Sequence, residues 1–398
     1  MYDDASHPAS LFAGLQPQQP DPLLSLIALY RDDPRPGKID LGVGVYRDEA
    51  GATPVFGAVK AAEAKLLAEQ PTKAYLGPEG DLGFLDRIRP VVFGDGAAGE
   101  DVFAIQTPGG TGALRVAADL ANGGRPGARI WLGTPSWPIH ASIFARAGLA
   151  IETYPHFDPT TQTLLFDELL AVFDHAAPGD LVLLHGCCHN PTGADYSVEQ
   201  WEVIAERLAA RGLVPLIDMA YQGLGRGLEA DAAGARLVLE RVDQAMVAYS
   251  LDKNFGLYRE RTGALFVRAR GELDTVRSNI LLLARCAWSM PPDHGAAVAR
   301  LVLESPELTA AWRAELETMR LRLVQVRGLL AEAVPQLAAL RDQHGMFAQL
   351  PLSPAQVARM RDEFAVYMAG SGRINLAGLT EGTVEIFAQA LNSSLQGA

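Results

Sequence analysis

The segment Ser250-Leu-Asp-Lys-Asn-Phe-Gly-Leu-Tyr-Arg-Glu-Arg261 gathers hydroxyl, carboxylate, amine and guanidinium groups into one short stretch. Apolar runs flank it, Met246-Val-Ala-Tyr249 before and Gly263-Ala-Leu-Phe-Val267 after, and both read as buried strands. An unpaired ammonium between buried strands is costly. One chemistry that removes the charge is a Schiff base between Lys253 and a carbonyl compound. The plain alternative is a lysine on a solvated loop.

Other stretches offer compatible groups. Gly109-Gly-Thr111 follows an apolar strand and opens a helix, where backbone N–H groups and the helix dipole favour an anion. The sequence is neither the dinucleotide fingerprint nor a Walker loop, so NAD and ATP are poorly supported; a plain tight turn is the alternative. Asp218 ends the run Leu213-Val-Pro-Leu-Ile217, where a carboxylate could equally cap a turn. Tyr221 follows three residues on, and His189-Asn-Pro-Thr-Gly193 supplies Asn190 before a proline that could be cis. Their ordinary readings are a half-buried core tyrosine and a turn. Trp137, between prolines, reads as a packing residue when taken alone, and Arg285 and Arg373 as solvated surface arginines.

Taken together, Leu41-Gly-Val-Gly-Val-Tyr46, Tyr75-Leu-Gly77, Gly109-Gly-Thr-Gly-Ala-Leu-Arg115, His189-Asn-Pro-Thr-Gly193, Asp218-Met-Ala-Tyr221 and the lysine segment resemble one family. It is the class I aspartate and aromatic amino-acid aminotransferases, pyridoxal-phosphate enzymes of fold type I, and the likeness runs from about Asp21 to Gly378. It implies that Lys253 carries pyridoxal 5'-phosphate as a Schiff base and moves the proton. Asp218 would pair with the cofactor's pyridinium nitrogen, with His140 supporting it, while Tyr221 and Asn190 reach the phenolic oxygen and Trp137 stacks on the ring. Gly110, Thr111, Ser250 and Arg261 would hold the phosphate, joined by Tyr75 from a neighbouring subunit. For the substrate it implies Gly44, Trp137, Asn190, Arg373 on the α-carboxylate, and Arg285 reaching a distal carboxylate across a homodimer interface. His189 is expected in the core or in support of the site.

The implied activity moves an amino group between an aromatic or acidic L-amino acid (tyrosine, phenylalanine, aspartate) and 2-oxoglutarate or oxaloacetate. Two alternatives stay open: β-elimination or decarboxylation on the same scaffold, or a regulatory protein that keeps the fold without turnover. The sequence departs from the family at Asp252, where a small residue normally precedes the lysine. Adjacent side chains of an extended segment face opposite sides, so Asp252 is expected to turn from the cofactor towards solvent or a neighbouring arginine. The alternative puts its charge near the Schiff-base nitrogen, where it favours the protonated form. The stretch before Gly345 also looks short.

The elements that must position these groups alternate. Strands are predicted at Val102–Ile105, Arg129–Leu132, Ile151–Tyr154, Leu181–Leu184 and Val214–Ile217, with helices from Thr111 to Ala121 and from Ser197 to Ala210. Such alternation predicts an α/β fold whose mainly parallel sheet is covered by helices and carries active groups at the strands' carboxyl ends. The resemblance makes that sheet seven-stranded. Helices are also expected over Asp21–Tyr30 and Pro54–Gln70, and a short strand over Lys38–Leu41. A long amphipathic helix, Glu307–Val334, opens a smaller α+β region with strands near Gly345–Phe347 and Gly372–Leu376 and a helix over Ser353–Phe364. The expected division is 1–48 as an N-terminal arm and segment packing with the small domain, 49–305 as the cofactor-binding domain, and 306–398 as the small domain. Residues 1–20 are expected to form the arm.

Composition narrows the partners. With 398 residues, two domains around a shared site are the expectation. A net charge of −13 argues against nucleic acid or an anionic membrane as partner. The three cysteines, Cys187, Cys188 and Cys286, give neither a disulfide framework nor a metal spacing. They fit a reducing compartment. The first residues lack the basic-then-apolar pattern of a signal peptide, and no apolar run approaches the roughly 18 residues needed to cross a bilayer. The expectation is a soluble, cytoplasmic homodimer.

Overall fold

A computed structural model describes residues 11–17, 22–94 and 101–396. Most of the expected arm, and the start of the helix expected from Asp21, lie outside these residues; the helix itself is described over Pro22–Asp32.

The centre is a seven-stranded sheet. From one edge its strands are Val102–Pro108, Thr262–Ala269, Gln244–Ser250, Val214–Met219, Leu181–His185, Arg129–Thr134 and Ala150–Pro155. Thr262–Ala269 runs antiparallel to both of its neighbours, and every other pairing is parallel. The carboxyl ends of six strands therefore meet along one rim, together with the start of the seventh. Register places Asp218 opposite His185 on one side and Ala248 on the other.

Alternation along the strands divides the interior. Leu181 and Leu183 face one way with Leu216, Met246 and Leu265, packing with Leu114 and Phe144. Val182 and Leu184 face the other way with Ile217, Val247 and Phe266, packing with Phe84, Trp201 and Trp312. Both sheet faces are thus covered, which is why these strands read as continuous apolar runs.

Helix ends follow local chemistry. Ser197 accepts from the Gln200 N–H while the Gln200 side chain accepts from Ser197 N, and Gly212 closes the Val198–Arg211 helix at φ 60°. Trp201 of that helix lies against Gly234 of the Leu228–Arg241 helix, where an added Cβ would stand 2.3 Å from its ring. A third core joins Ile39 and Leu41 to Val326, Leu330, Met360, Ile374 and Phe387. The helix Pro306–Ala333 spans two cores: Trp312, Leu316 and Leu323 belong to the sheet's, Val326 and Leu330 to the third.

Several expected boundaries move. The helix expected from Pro54 begins at Gly57, and the one expected from Thr111 begins at Gly109. The strand expected at Gly345–Phe347 lies at Phe347–Gln349, because pairing with Arg373–Asn375 sets its limits. The helices Leu82–Phe93, Leu273–Ala287, His294–Glu304 and Glu381–Gln396 had no counterpart in the sequence reading. No helix among the described residues is long and apolar enough to cross a membrane.

Candidate active site

One cleft at the carboxyl rim is lined by Gly110, Thr111, Trp137, Asn190, Asp218, Tyr221, Ser250, Asp252 and Lys253. Residues up to 143 positions apart in sequence meet there because each terminates, or closely follows, a strand of the same sheet.

Lys253 stands on a turn after the strand Gln244–Ser250, closed by a Phe255 N–H bond to the Leu251 carbonyl at 3.3 Å. Its Nζ lies 5.2 Å above the Tyr221 ring and 3.8 Å from Asp252 Oδ2. Burial pulls the amine below its ordinary value, against the opposing charges of Asp252 and Asp218. Loss of the proton is thereby made easier, which a nucleophilic amine requires.

Asp218 is fixed from behind. His140 Nε2 is 3.1 Å from its Oδ2, and His140 Nδ1 is 2.8 Å from Ser136 Oγ. A neutral His140 protonated on Nε2 satisfies both contacts, donating to the carboxylate and accepting from the hydroxyl. Burial raises the Asp218 carboxyl, but the hydrogen bond from His140, with the charge of Lys253, outweighs it and holds it below its usual value. Asp218 therefore presents an anion to the cleft. Asn190 Nδ2 donates to the Tyr221 hydroxyl at 3.2 Å, and the Asn190–Pro191 bond is cis. Burial, with the Asp218 charge, pushes the Tyr221 phenol well above its ordinary value, so it stays a donor.

Next to Gly110, Gly109 has φ +67°, and a Cβ there would stand 2.5 Å from Arg261 Nη2. A Cβ on Gly110 would stand 3.1 Å from that of Ser250. The glycines thus leave a cup of backbone N–H groups between the helix start, Ser250 and Arg261. At the other end Arg373 donates from Nη2 to the Gly42 carbonyl at 2.8 Å and lies 4.8 Å over the Phe347 ring. Burial lowers its value, offset by Tyr221.

Gly44 belongs to this end: a Cβ on it would stand 3.2 Å from Phe347 Cζ. Asn375 holds the same loop, donating to the Val43 and Val45 carbonyls at 2.6 and 2.7 Å. Sequence reading missed Asn375, Phe347 and Ser136, which act through other residues and so carry no motif of their own. His189 is buried, bonded through Nδ1 to Thr192 and packed on His156 and His185.

Gly44, Arg261 and Arg373 are not among the residues that line the cleft, and two further expected residues are exposed. Tyr75 is 93% exposed, and Arg285 is exposed in the last turn of its helix with Ser289 as its partner. Asp252 meets one half of its expectation, pairing with a neighbouring arginine, and corrects the other half, that it turns away from the cleft. The segment turns helically instead of extending, so Asp252 and Lys253 share the cleft and the carboxylate reaches Arg261 at 2.9 Å without leaving it.

A family model described as aminotransferase class I and II matches residues 36–391. The chain belongs to this family. It is 57% identical over 376 residues to a tyrosine aminotransferase of Rhizobium meliloti (strain 1021), covering 93% of this chain and 96% of that one. It is 43% identical over 392 residues to an aspartate aminotransferase of Escherichia coli (strain K12), covering 96% and 99%. Among solved structures, an aromatic-amino-acid aminotransferase from Burkholderia pseudomallei, covalently bound to pyridoxal phosphate, superimposes with a TM-score of 0.93 at 38% identity, covering 97% and 100%.

This aminotransferase is therefore a fold-type-I pyridoxal-phosphate enzyme. Its own cleft fits the cofactor. The glycine cup has room where any side chain would intrude, Asp218 supplies an anion, and Asn190 Oδ1 is buried without a partner among the described residues.

Proposed function

We propose that this aminotransferase exchanges the amino group of an aromatic or acidic L-amino acid with 2-oxoglutarate or oxaloacetate. The relatives named for tyrosine and aspartate support that substrate range. The observation that carries it is Lys253 Nζ, set in one cleft with the anionic Asp218 and the donor Tyr221.

Pyridoxal phosphate, when bound, supplies an aldehyde for the amino group and a protonated ring that withdraws electrons from the substrate's Cα. Gly110, Thr111, Ser250 and Arg261 bind the phosphate, with Arg261 giving a charge-assisted contact. Asp218, oriented by His140, keeps the ring nitrogen protonated. Tyr221 and Asn190 orient the ring through its phenolic oxygen, and Trp137 covers one face. Arg373 holds the α-carboxylate above the Gly44 loop. Lys253 Nζ would take the proton from the substrate's Cα as general base and hold it for return as general acid.

We further propose a homodimer in which Tyr75 and Arg285 enter the partner's cleft; their exposure, and that of Leu282 beside Arg285, support this. Unpaired cysteines among the described residues support the cytoplasm. The domain division 1–48, 49–305 and 306–398 fits the separate third core, with the long helix bridging both bodies.

Lys253→Ala tests the assignment. The variant should still bind pyridoxal phosphate but lose turnover by at least about 10²–10⁴-fold. Borohydride reduction of the wild type should label Lys253 in a peptide map. A label on another lysine overturns the reading.

A further inference from the structure

The phosphate cup of this enzyme already contains an anion. Asp252 Oδ2 lies 2.9 Å from Arg261 Nη1, on the guanidinium that also borders Gly109. Its other oxygen, Oδ1, is buried with no hydrogen-bond partner among the described residues. A finished structural ion pair would satisfy both oxygens. This one leaves an acceptor bare beside the cup, where a phosphate brings further acceptors and no cation.

The carboxylate cannot withdraw far either, because it shares a turn with Lys253 and sits 3.8 Å from that amine. The Asp252 N–H donates to the Ser250 hydroxyl oxygen at 3.3 Å, which ties the acid's backbone to the same turn.

We propose that Asp252 is a resident anion that competes with the cofactor phosphate for Arg261, so that this enzyme holds pyridoxal phosphate more weakly than the same cup with a small neutral residue. The proposal rests on the assignment of Arg261 to the phosphate. Two anions share one guanidinium in a partly desolvated site, and each reduces what the other gains from it. In the absence of cofactor, Asp252 keeps Arg261 folded over the cup instead of extended into solvent. Loading then replaces one anion contact with another, which makes the cofactor exchangeable.

The test measures dissociation constants of the apoprotein for pyridoxal phosphate and for pyridoxal, which lacks the phosphate, in wild type, Asp252→Ser and Asp252→Asn. Both substitutions should tighten pyridoxal phosphate by about tenfold or more, the size of a lost charge competition, and leave pyridoxal unchanged. Asparagine keeps the shape and an acceptor for Arg261, so tightening in that variant isolates the charge. Unchanged or weaker binding of pyridoxal phosphate would mean that Asp252 merely positions Arg261, and overturns the proposal. Equal tightening of pyridoxal does so too, since the charge would then act at Lys253. Borohydride labelling runs alongside. A label on Lys253 with equal constants removes only this proposal, whereas no label on Lys253 removes the assigned function as well.

Discussion

Arg373 and Arg285 carry the same guanidinium but stand in opposite surroundings. Arg373 is largely buried, anchored to the Gly42 carbonyl and lying on Phe347, so its direction is set before a substrate arrives. Arg285 is exposed and its partner is one serine hydroxyl, so it can turn towards a carboxylate or away from an aromatic ring. That difference predicts how substrates separate. Arg285→Leu should lower kcat/KM for aspartate by roughly tenfold to a hundredfold, the worth of one charge-assisted contact, and spare phenylalanine. Equal losses for both substrates would count against a distal-carboxylate role. Asp252 teaches the same lesson about surroundings: a carboxylate expected to face away is drawn into the cleft by a single helical turn.

Among elements, the ends of Leu181–His185 and Ala150–Pro155 carry an unusual load. His185, His189 and His156 follow or end these strands and pack ring on ring, His189 stacked on His156 and edge-on to His185, with centroids 4.1 Å apart in both pairs. Burial pushes His156 down to about 4 and His185 to about 3, and His189 well below its ordinary value. All three are neutral in the fold, while an unfolded histidine takes up a proton below about 6.5. The unfolded chain thus binds more protons as pH falls from about 6.5 towards 4, and stability falls, by at most about 1.4 kcal/mol per pH unit for each histidine. Asp195, pushed up to about 6 by burial, works in the opposite sense, since its folded form binds the extra proton as pH falls below 6. His156→Gln should therefore lose less stability than wild type between pH 6.5 and 4.5. Urea midpoints of the apoprotein at several pH values read the slope, and parallel curves for the two proteins would refute the assignment.

At the scale of the whole molecule, two of the groups proposed for the site stand apart from the cleft. Tyr75 is fully turned to solvent and Arg285 lies outside the cleft, while the groups proposed for proton transfer and ring binding are all inside it. A site completed across a two-fold interface has a simple consequence. Lys253→Ala and a double Tyr75→Phe, Arg285→Leu variant should each be poorly active on aspartate alone. After unfolding and refolding together they form hybrid dimers in which one of the two clefts receives every wild-type group. Recovered aspartate turnover, in proportion to the hybrid fraction, is the expected result, and a mixture no better than the sum of its parts would show that each chain works by itself.

The sequence by itself determined the chemistry and the architecture class. Lys253, Asp218 and the Gly109–Thr111 turn each sit where an apolar run ends, and period-two alternation with intervening helical spacing is a local property of the chain. These strand ends offered candidates that each had a plain alternative, and the family resemblance carried by their motifs joined them into one site before any strand order was known. Capping at Ser197 and Ser353 was equally local, since a serine and a glutamine three residues apart need no distant partner. Tertiary structure decided what depends on contacts distant in sequence. The antiparallel place of Thr262–Ala269, the limits of Phe347–Gln349, and the bonds of Asn375 to the Val43 and Val45 carbonyls all arise from partners many residues away. It also decided the fate of Asp252. Its place in the sequence allowed a solvated acid or one paired with an arginine, and the turn that presents Lys253 carries it into the same cleft, 2.9 Å from Arg261.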